Sequence, residues 1–330
     1  SQVFLCEHSV MRHRVAVKML KLHAKSDPGT LERFKREARA AAAVNHPNVV
    51  RAYDFDLAEG KHYYIVMDYV DGVNLEDLVA RVGPLPPERA VNYAIQAATG
   101  LQHIHECGLV HRDIKPSNLL LDRAGIVRIL DLGLVRFAES KDDGLTRMQN
   151  DHVVLGTADY LSPEQALKSD DLDIRSDLYS LGVTLYFLLA GKAPYADLNV
   201  AQKLLFHQFK EPPPLDHVPR DLFAVMQTLM AKKPEDRYQT PAEFVEAVAA
   251  WARVPVPPPL DSEIPIVLAP SATPSNIPRS LTGPILPPSL VISPSPVPPA
   301  ASPSLPISVW IAGGVLIVAI VAAVAIILSR

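Results

Sequence analysis

The sequence predicts an α+β chain of two unequal lobes, a small strand-rich one followed by a larger helical one. Three observations predict it. Alternating and strand-like apolar runs recur within residues 1–70, and apolar residues recur at helical spacing after Glu88. One segment of the later part is apolar nearly all round. A proline-rich stretch and a long apolar run follow the lobes.

The chain opens SQVFLCEHSVMRHRVAVKML, where Val3, Leu5, Val15 and Val17 alternate with other residues across a basic turn. That pattern predicts two strands, the second closing on a lone lysine, Lys18. The stretch LERFKREARAAAAV, with Leu31, Phe34 and Ala38 at helical spacing, predicts a helix broken by His46-Pro47-Asn48. VVRAYDF and KHYYIVMDYV read as further strands. PERAVNYAIQAATGLQHIHECG keeps an apolar stripe and stops on Gly108, as a helix does. Residues 177–190, DLYSLGVTLYFLLA, are too short to span a bilayer, so they predict a helix buried in a large domain.

Residues 254–306 hold 17 of the 31 prolines and only Asp261, Glu263 and Arg279 as charges. That composition predicts an extended, polyproline-leaning linker. Residues 307–328 are 22 residues without a charge, about 33 Å as a helix at 1.5 Å per residue, enough to cross a bilayer core of roughly 30 Å. Trp310 and Arg330 suit the two interfaces. The expected organisation is a globular part over 1–253, a linker over 254–306 and a single membrane span over 307–328.

The formal charge of −4 lies wholly in residues 1–253 and forms no basic stripe, so nothing calls for nucleic acid as a partner. Cys6 and Cys107 are too few for a disulfide framework, and neither has metal-like CxxC spacing.

The stretch HRDIKPSNLLLD, residues 111–122, places a carboxylate, an ammonium and a carboxamide within six residues, and Asp131-Leu132-Gly133 follows a second apolar run, IVRIL. Each residue alone has an ordinary reading. Lys18 would be a solvated edge lysine, Glu37 in RFKREAR a solvated helix face, and Asp113 a carboxylate capping a turn. Together and in this order, the chain resembles a eukaryotic-type (Hanks-type) protein kinase of the bacterial, membrane-anchored Ser/Thr group, from Val3 to about Trp251.

The resemblance implies the bilobal kinase fold and a set of roles. Asp113 matches the catalytic aspartate, and Lys115 the lysine that contacts the transferring phosphate. Asn118 and Asp131 match the two magnesium ligands, hard oxygen donors for a hard cation. Lys18 matches the lysine that holds the α- and β-phosphates, with Glu37 as its partner on the helix. Met67 stands at the gatekeeper position, Asp68 and Val70 on the hinge, and Val3, Ala16 and Leu120 around the base. GTADYLSPEQA, residues 156–166, resembles the end of an activation segment, in which Glu164 would pair with Arg237 of PEDRY. Asp177 matches the aspartate that holds the catalytic loop by its backbone amides. Arg112 implies control by phosphorylation of the activation segment, with Thr146 preferred over Ser140 as acceptor and Thr157 on the substrate side.

ATP with Mg2+ (or Mn2+) is the implied cofactor set. Protein substrates, the bilayer and a second copy of the chain are the implied partners, with the catalytic part cytoplasmic at the inner membrane. Two departures stand out. The glycine-rich loop would immediately precede Val3, so the first strand and its phosphate-covering turn are missing, as in an incomplete chain. Leu132 replaces the usual Phe, a mild apolar swap. The competing expectation is a catalytically silent, membrane-tethered scaffold.

Overall fold

The computed structural model describes residues 2–8, 10–23, 38–58, 62–131, 158–167 and 172–265. The alternating opening forms β1 (Gln2–Glu7) and β2 (Arg14–His23), antiparallel, with Val3 opposite Lys18. Residues 38–43 are helical. β3 (Ala52–Ala58) and β4 (His62–Asp68) complete a four-stranded sheet in the order β1-β2-β4-β3. β3 starts later than the run VVRAYDF suggests. Val49 bridges to Ile129, and the Val50 amide donates to the Ile129 carbonyl, so the backbone here is tied to the large lobe's edge. The Val49 side chain packs in the large core and that of Val50 in the cluster around Ile65 and Met67.

The large lobe begins with β5 (Gly72–Asn74) and the helices α1 (Leu75–Val82) and α2 (Pro87–Glu106). Asn74 caps α1 by accepting from the Asp77 amide, and Gly83 ends it at φ +79°, a conformation glycine takes without cost. β6 (Leu119–Asp122) and β7 (Val127–Ile129) join β5 in a small second sheet of order β5-β6-β7 that presents the loop carrying Asp113. Then come α3 (Pro163–Ala166), α4 (Ile174–Ala190), α5 (Val200–Phe209), α6 (Arg220–Leu229) and α7 (Pro241–Ala247).

α4 is buried from Ser176 to Leu189 without interruption, which is why it reads as apolar on every side. It packs against α2 and α6 as the axis of the large core. At Gly182 an added Cβ would lie 2.7 Å from the Leu229 side chain, so α4 and α6 approach too closely there for any other residue. Among its described residues the small lobe holds two separate and much smaller apolar clusters, one around Ile65 and Met67 and one around Val15, Val17 and Val66.

The stretch expected to be linker begins as part of this lobe. Ile264 is 2% exposed within the large core, and Val256 packs against it. Glu263 accepts from both terminal nitrogens of the Arg89 guanidinium, at 2.8 and 2.7 Å. The prolines of 254–265 therefore fix an extended strap against a surface, and specific tertiary partners hold it there. Among the described residues no helix is long and apolar enough to cross a membrane; the expected span 307–328 and the linker after Pro265 lie outside them.

Candidate active site

Three segments far apart in sequence meet at one place. Lys18, near the middle of β2, is 6% exposed, and its Nζ lies 2.5 Å from Asp131 Oδ2 across 113 residues of chain. A buried ammonium needs a partner, and the Asp131 carboxylate supplies it. Asp113 is held by Lys115, whose Nζ lies 3.0 Å from Oδ2, and by Asn118, whose Nδ2 donates to Oδ2 at 2.9 Å. Asn118 Nδ2 also donates to the Asp113 carbonyl, closing the loop on itself. An ammonium and an amide thus aim a carboxylate whose charge is already compensated.

The backbone around these groups is strained in a telling pattern. Arg112 and Asp131 sit at φ +67° and +58°, a region that costs non-glycine residues energy. A buried aspartate offsets that cost for Arg112. Asp177, 0% exposed on α4, accepts the His111 amide at 2.8 Å and the Arg112 amide at 2.7 Å. His105 Nε2 reaches the same carboxylate at 3.0 Å from the end of α2. His111 then ties the loop to the strand leading into Asp131, with Nε2 2.7 Å from the Leu130 carbonyl. The Leu130 amide donates to the Asn118 carbonyl. Asp113 and Asp131 therefore share one hydrogen-bonded frame.

Below it, Glu164 meets Arg237 through two bonds, Nη1 to Oε1 at 2.7 Å and Nη2 to Oε2 at 2.9 Å. The Ser176 hydroxyl donates to the same carboxylate at 2.7 Å. Burial by itself raises the Glu164 carboxyl, but Arg237 and Ser176 outweigh it and hold the pKa at about 2. Gln165 links this pair to the catalytic loop by donating from Nε2 to the Arg112 carbonyl at 2.9 Å.

Among the residues expected to surround the base, Met67 is buried in one cluster with Ala16 and Val70, and Leu130 packs on it too. Ala16 pairs with Met67 between β2 and β4. Asp68 turns its carboxylate to the Tyr53 hydroxyl, and that hydrogen bond raises the Tyr53 pKa. Val3 is 60% exposed on β1, and Leu120 is half-buried on β6 of the second sheet. Glu37, Ser140, Thr146 and Thr157 lie outside the described residues.

The donor set suits a hard divalent cation. Asn118 uses its amide nitrogen on Asp113, which leaves that side chain an oxygen to offer, and Asp131 brings a carboxylate. No group of three or more His, Cys, Asp or Glu among the described residues could hold a metal alone. A cation of the magnesium type takes one or two protein oxygens and fills its shell with phosphate and water, so an Asn oxygen and an Asp carboxylate are donors of the kind it uses. His105, His111, Gln165 and Ser176 carry the frame but escaped the sequence reading. His111 and Gln165 have a local signal, their places in HRDIKPSN and GTADYLSPEQA.

Residues 1–248 match the family of the protein kinase domain. PknB of Mycobacterium tuberculosis, a serine/threonine-protein kinase, is 41% identical over 251 residues, which cover 74% of this chain and 40% of PknB. PknA of the same species, also a serine/threonine-protein kinase, is 37% identical over 281 residues, 83% of this chain and 64% of PknA. The probable serine/threonine-protein kinase CE0033 of Corynebacterium efficiens is 36% identical over 293 residues, 83% of this chain and 44% of its own length. The chain thus spans about 40% of the length of the mycobacterial PknB it matches. With three quarters of its residues matching that domain, and with Lys18, Asp113, Asn118 and Asp131 gathered at one cleft, the chain belongs to the protein kinase family.

Proposed function

We propose that this chain is a serine/threonine protein kinase that moves the γ-phosphate of ATP to a protein hydroxyl and also phosphorylates itself. The observation that carries the reading is the Lys18–Asp131 contact beside a pre-aimed Asp113. Phosphoryl transfer asks for positioning and positive charge more than for covalent chemistry. Asp113 accepts the proton of the attacking hydroxyl as the new O–P bond forms and the bond to the leaving ADP breaks. Lys115, already against Asp113, offers its ammonium to the moving phosphate oxygens. Lys18 exchanges Asp131 for the α- and β-phosphates, with Glu37 as its other partner. Asn118 and Asp131 would hold Mg2+ (or Mn2+), which neutralises charge on the phosphates when bound. Ala16, Met67 and Val70, with Val3, Leu120 and the Asp68 backbone, enclose the base.

The kinase works at a membrane in this reading. Residues 307–328 anchor it, the linker separates it from the bilayer, and ATP places the catalytic lobes on the cytoplasmic side. Its partners are protein substrates and a second copy of itself. Phosphate on Thr146 pairs with Arg112 and orders the segment that carries Thr157. The intact residues of the cleft speak against a silent scaffold.

The test is phosphate transfer from ATP to a generic protein substrate by the full chain. Asp113→Asn lowers kcat by about 10²- to 10⁴-fold, the usual contribution of a positioned base, and peptide mapping of the wild-type product finds phosphate on Thr146. Equal transfer by both proteins sinks the reading.

A further inference from the structure

α5 is built inside out. Its two buried residues are Lys203 and His207, one turn apart on the same face, while Leu205 and Phe209 are 49% and 71% exposed. A helix oriented by apolar burial alone would present the opposite faces. What turns it is an ion pair. Lys203, 4% exposed, places Nζ 2.7 Å from Asp159 Oδ1 and 2.9 Å from Oδ2. His207, 0% exposed, sets Nδ1 2.8 Å from the Tyr179 hydroxyl on α4, which fixes the next turn of the same face.

Asp159 lies at the head of a short segment that borders the catalytic loop. One residue on, the Tyr160 carbonyl accepts from the Ser180 hydroxyl at 2.8 Å, and the Tyr160 ring packs edge-on against Phe187. Ser162 and Gln165 form a reciprocal cap, and Gln165 reaches the carbonyl of Arg112, the residue before Asp113. Residues 160–165 are thus fixed to α4 and to the catalytic loop, and Asp159 is fixed to α5 by a charge. Burial pushes the Asp159 pKa up, and Lys203 opposes that push.

We propose that Lys203 and Asp159 are a positioning pair for the phosphate-accepting substrate. By tying residues 158–162 to α5, the pair sets the wall along which a peptide hydroxyl approaches Asp113. This inference rests on the kinase reading above. Neither residue touches the nucleotide groups, so the pair governs peptide binding and leaves ATP handling alone. Breaking such a pair from one side strands a buried charge, whereas removing both partners strands none. The two substitutions are therefore strongly non-additive.

The test is steady-state kinetics of the full chain with a peptide acceptor, for wild type, Asp159→Asn, Lys203→Met, the double variant and Lys203→Arg. Each neutral single variant raises KM for the peptide about tenfold, mid-range for coupled neighbours, with KM for ATP within about twofold. Lys203→Arg keeps the peptide KM near wild type, and the double variant recovers most of the loss. Unchanged peptide KM in the single variants overturns the proposal, as does a double variant equal to the product of the two. Hydrogen exchange at amides 158–165 separates this failure from that of the kinase reading. Lys203→Met speeds exchange there and spares β2 and β4 even in a protein that transfers no phosphate. Unchanged exchange overturns the pair by itself.

Discussion

Two ion pairs of nearly equal length do opposite jobs in this molecule. Lys18–Asp131 and Glu164–Arg237 measure 2.5 and 2.7 Å, and each joins residues more than 70 positions apart. Around Arg237 every direction is taken. Nε donates to the Ala231 carbonyl, Nη1 also to Arg175, Nη2 also to Lys232, and the guanidinium lies 4.9 Å from the Tyr179 ring centre. The Arg237 side chain is 0% exposed. At Lys18 the ammonium is buried, but the Asp131 side chain is 29% exposed and its backbone is held in the left-handed region. The Glu164–Arg237 pair is a rivet. The Lys18–Asp131 pair is a contact that phosphate oxygens and a cation can take over, because one of its members already faces solvent.

Substitution separates the two. Arg237→Met leaves Glu164 buried beside Ser176 alone and costs about 3–5 kcal/mol of stability, as expected for an ion pair broken from one side. Lys18→Met leaves Asp131 free to hydrate and costs about 1 kcal/mol or less, while phosphate transfer collapses. Denaturant unfolding of both variants decides the matter. Equal losses of stability would erase the distinction.

The Lys18–Asp131 pair is more legible in the sequence than the frame that holds it. Lys18 ends an apolar alternation, and Asp131 follows an apolar strand, so their chemistry stands out against their neighbours. The α4 helix was equally plain, because uninterrupted burial leaves an uninterrupted apolar run. His105, Gln165 and Ser176 gave no such contrast. Each is a polar residue on or beside a helix whose partner arrives from another segment, and single-sequence periodicity holds no record of that meeting. The strap over 254–265 differs from the expected linker for a related reason. Proline content reports local extension, and it is blind to the Arg89 and core surface that receive Glu263 and Ile264.

Acid sharpens the contrast. The Glu164 carboxyl sits at about 2 in the folded protein, against an ordinary value of 4.5. A depressed carboxyl pKa means that the unfolded chain binds the proton first. The stabilisation is complete above about pH 4.5 and is lost as pH falls through about 2. The difference amounts to about 3 kcal/mol. Glu164→Gln removes it, so stability of the variant falls less steeply than that of wild type between pH 5 and 3, measured by urea unfolding. Parallel curves would mean that Arg237 does not hold the carboxylate as the geometry requires.

The strap supplies an intermediate case. Arg89 and Glu263 form a two-bond pair like Glu164 and Arg237, with side chains 19% and 11% exposed, and Tyr93 accepts from Arg89 Nε at 2.8 Å. Glu263 also accepts the Leu260 amide, so one carboxylate both closes the strap's own turn and fastens it to α2. The Arg89 bonds, with burial opposing them, hold the Glu263 pKa below its ordinary value. Glu263→Gln keeps the shape and one acceptor but removes the charge, and costs about 2 kcal/mol, the scale of a charged hydrogen bond. The loss lies below that of Arg237→Met because the strap can lift and let water reach Arg89, an escape that the core around Arg237 denies. Limited proteolysis distinguishes this from global weakening. In the Glu263→Gln variant, cleavage within 254–265 accelerates while cleavage elsewhere in the lobes keeps the wild-type rate. Uniform acceleration would show that the strap is as deeply woven into the lobe as Glu164, and the intermediate rank would be wrong.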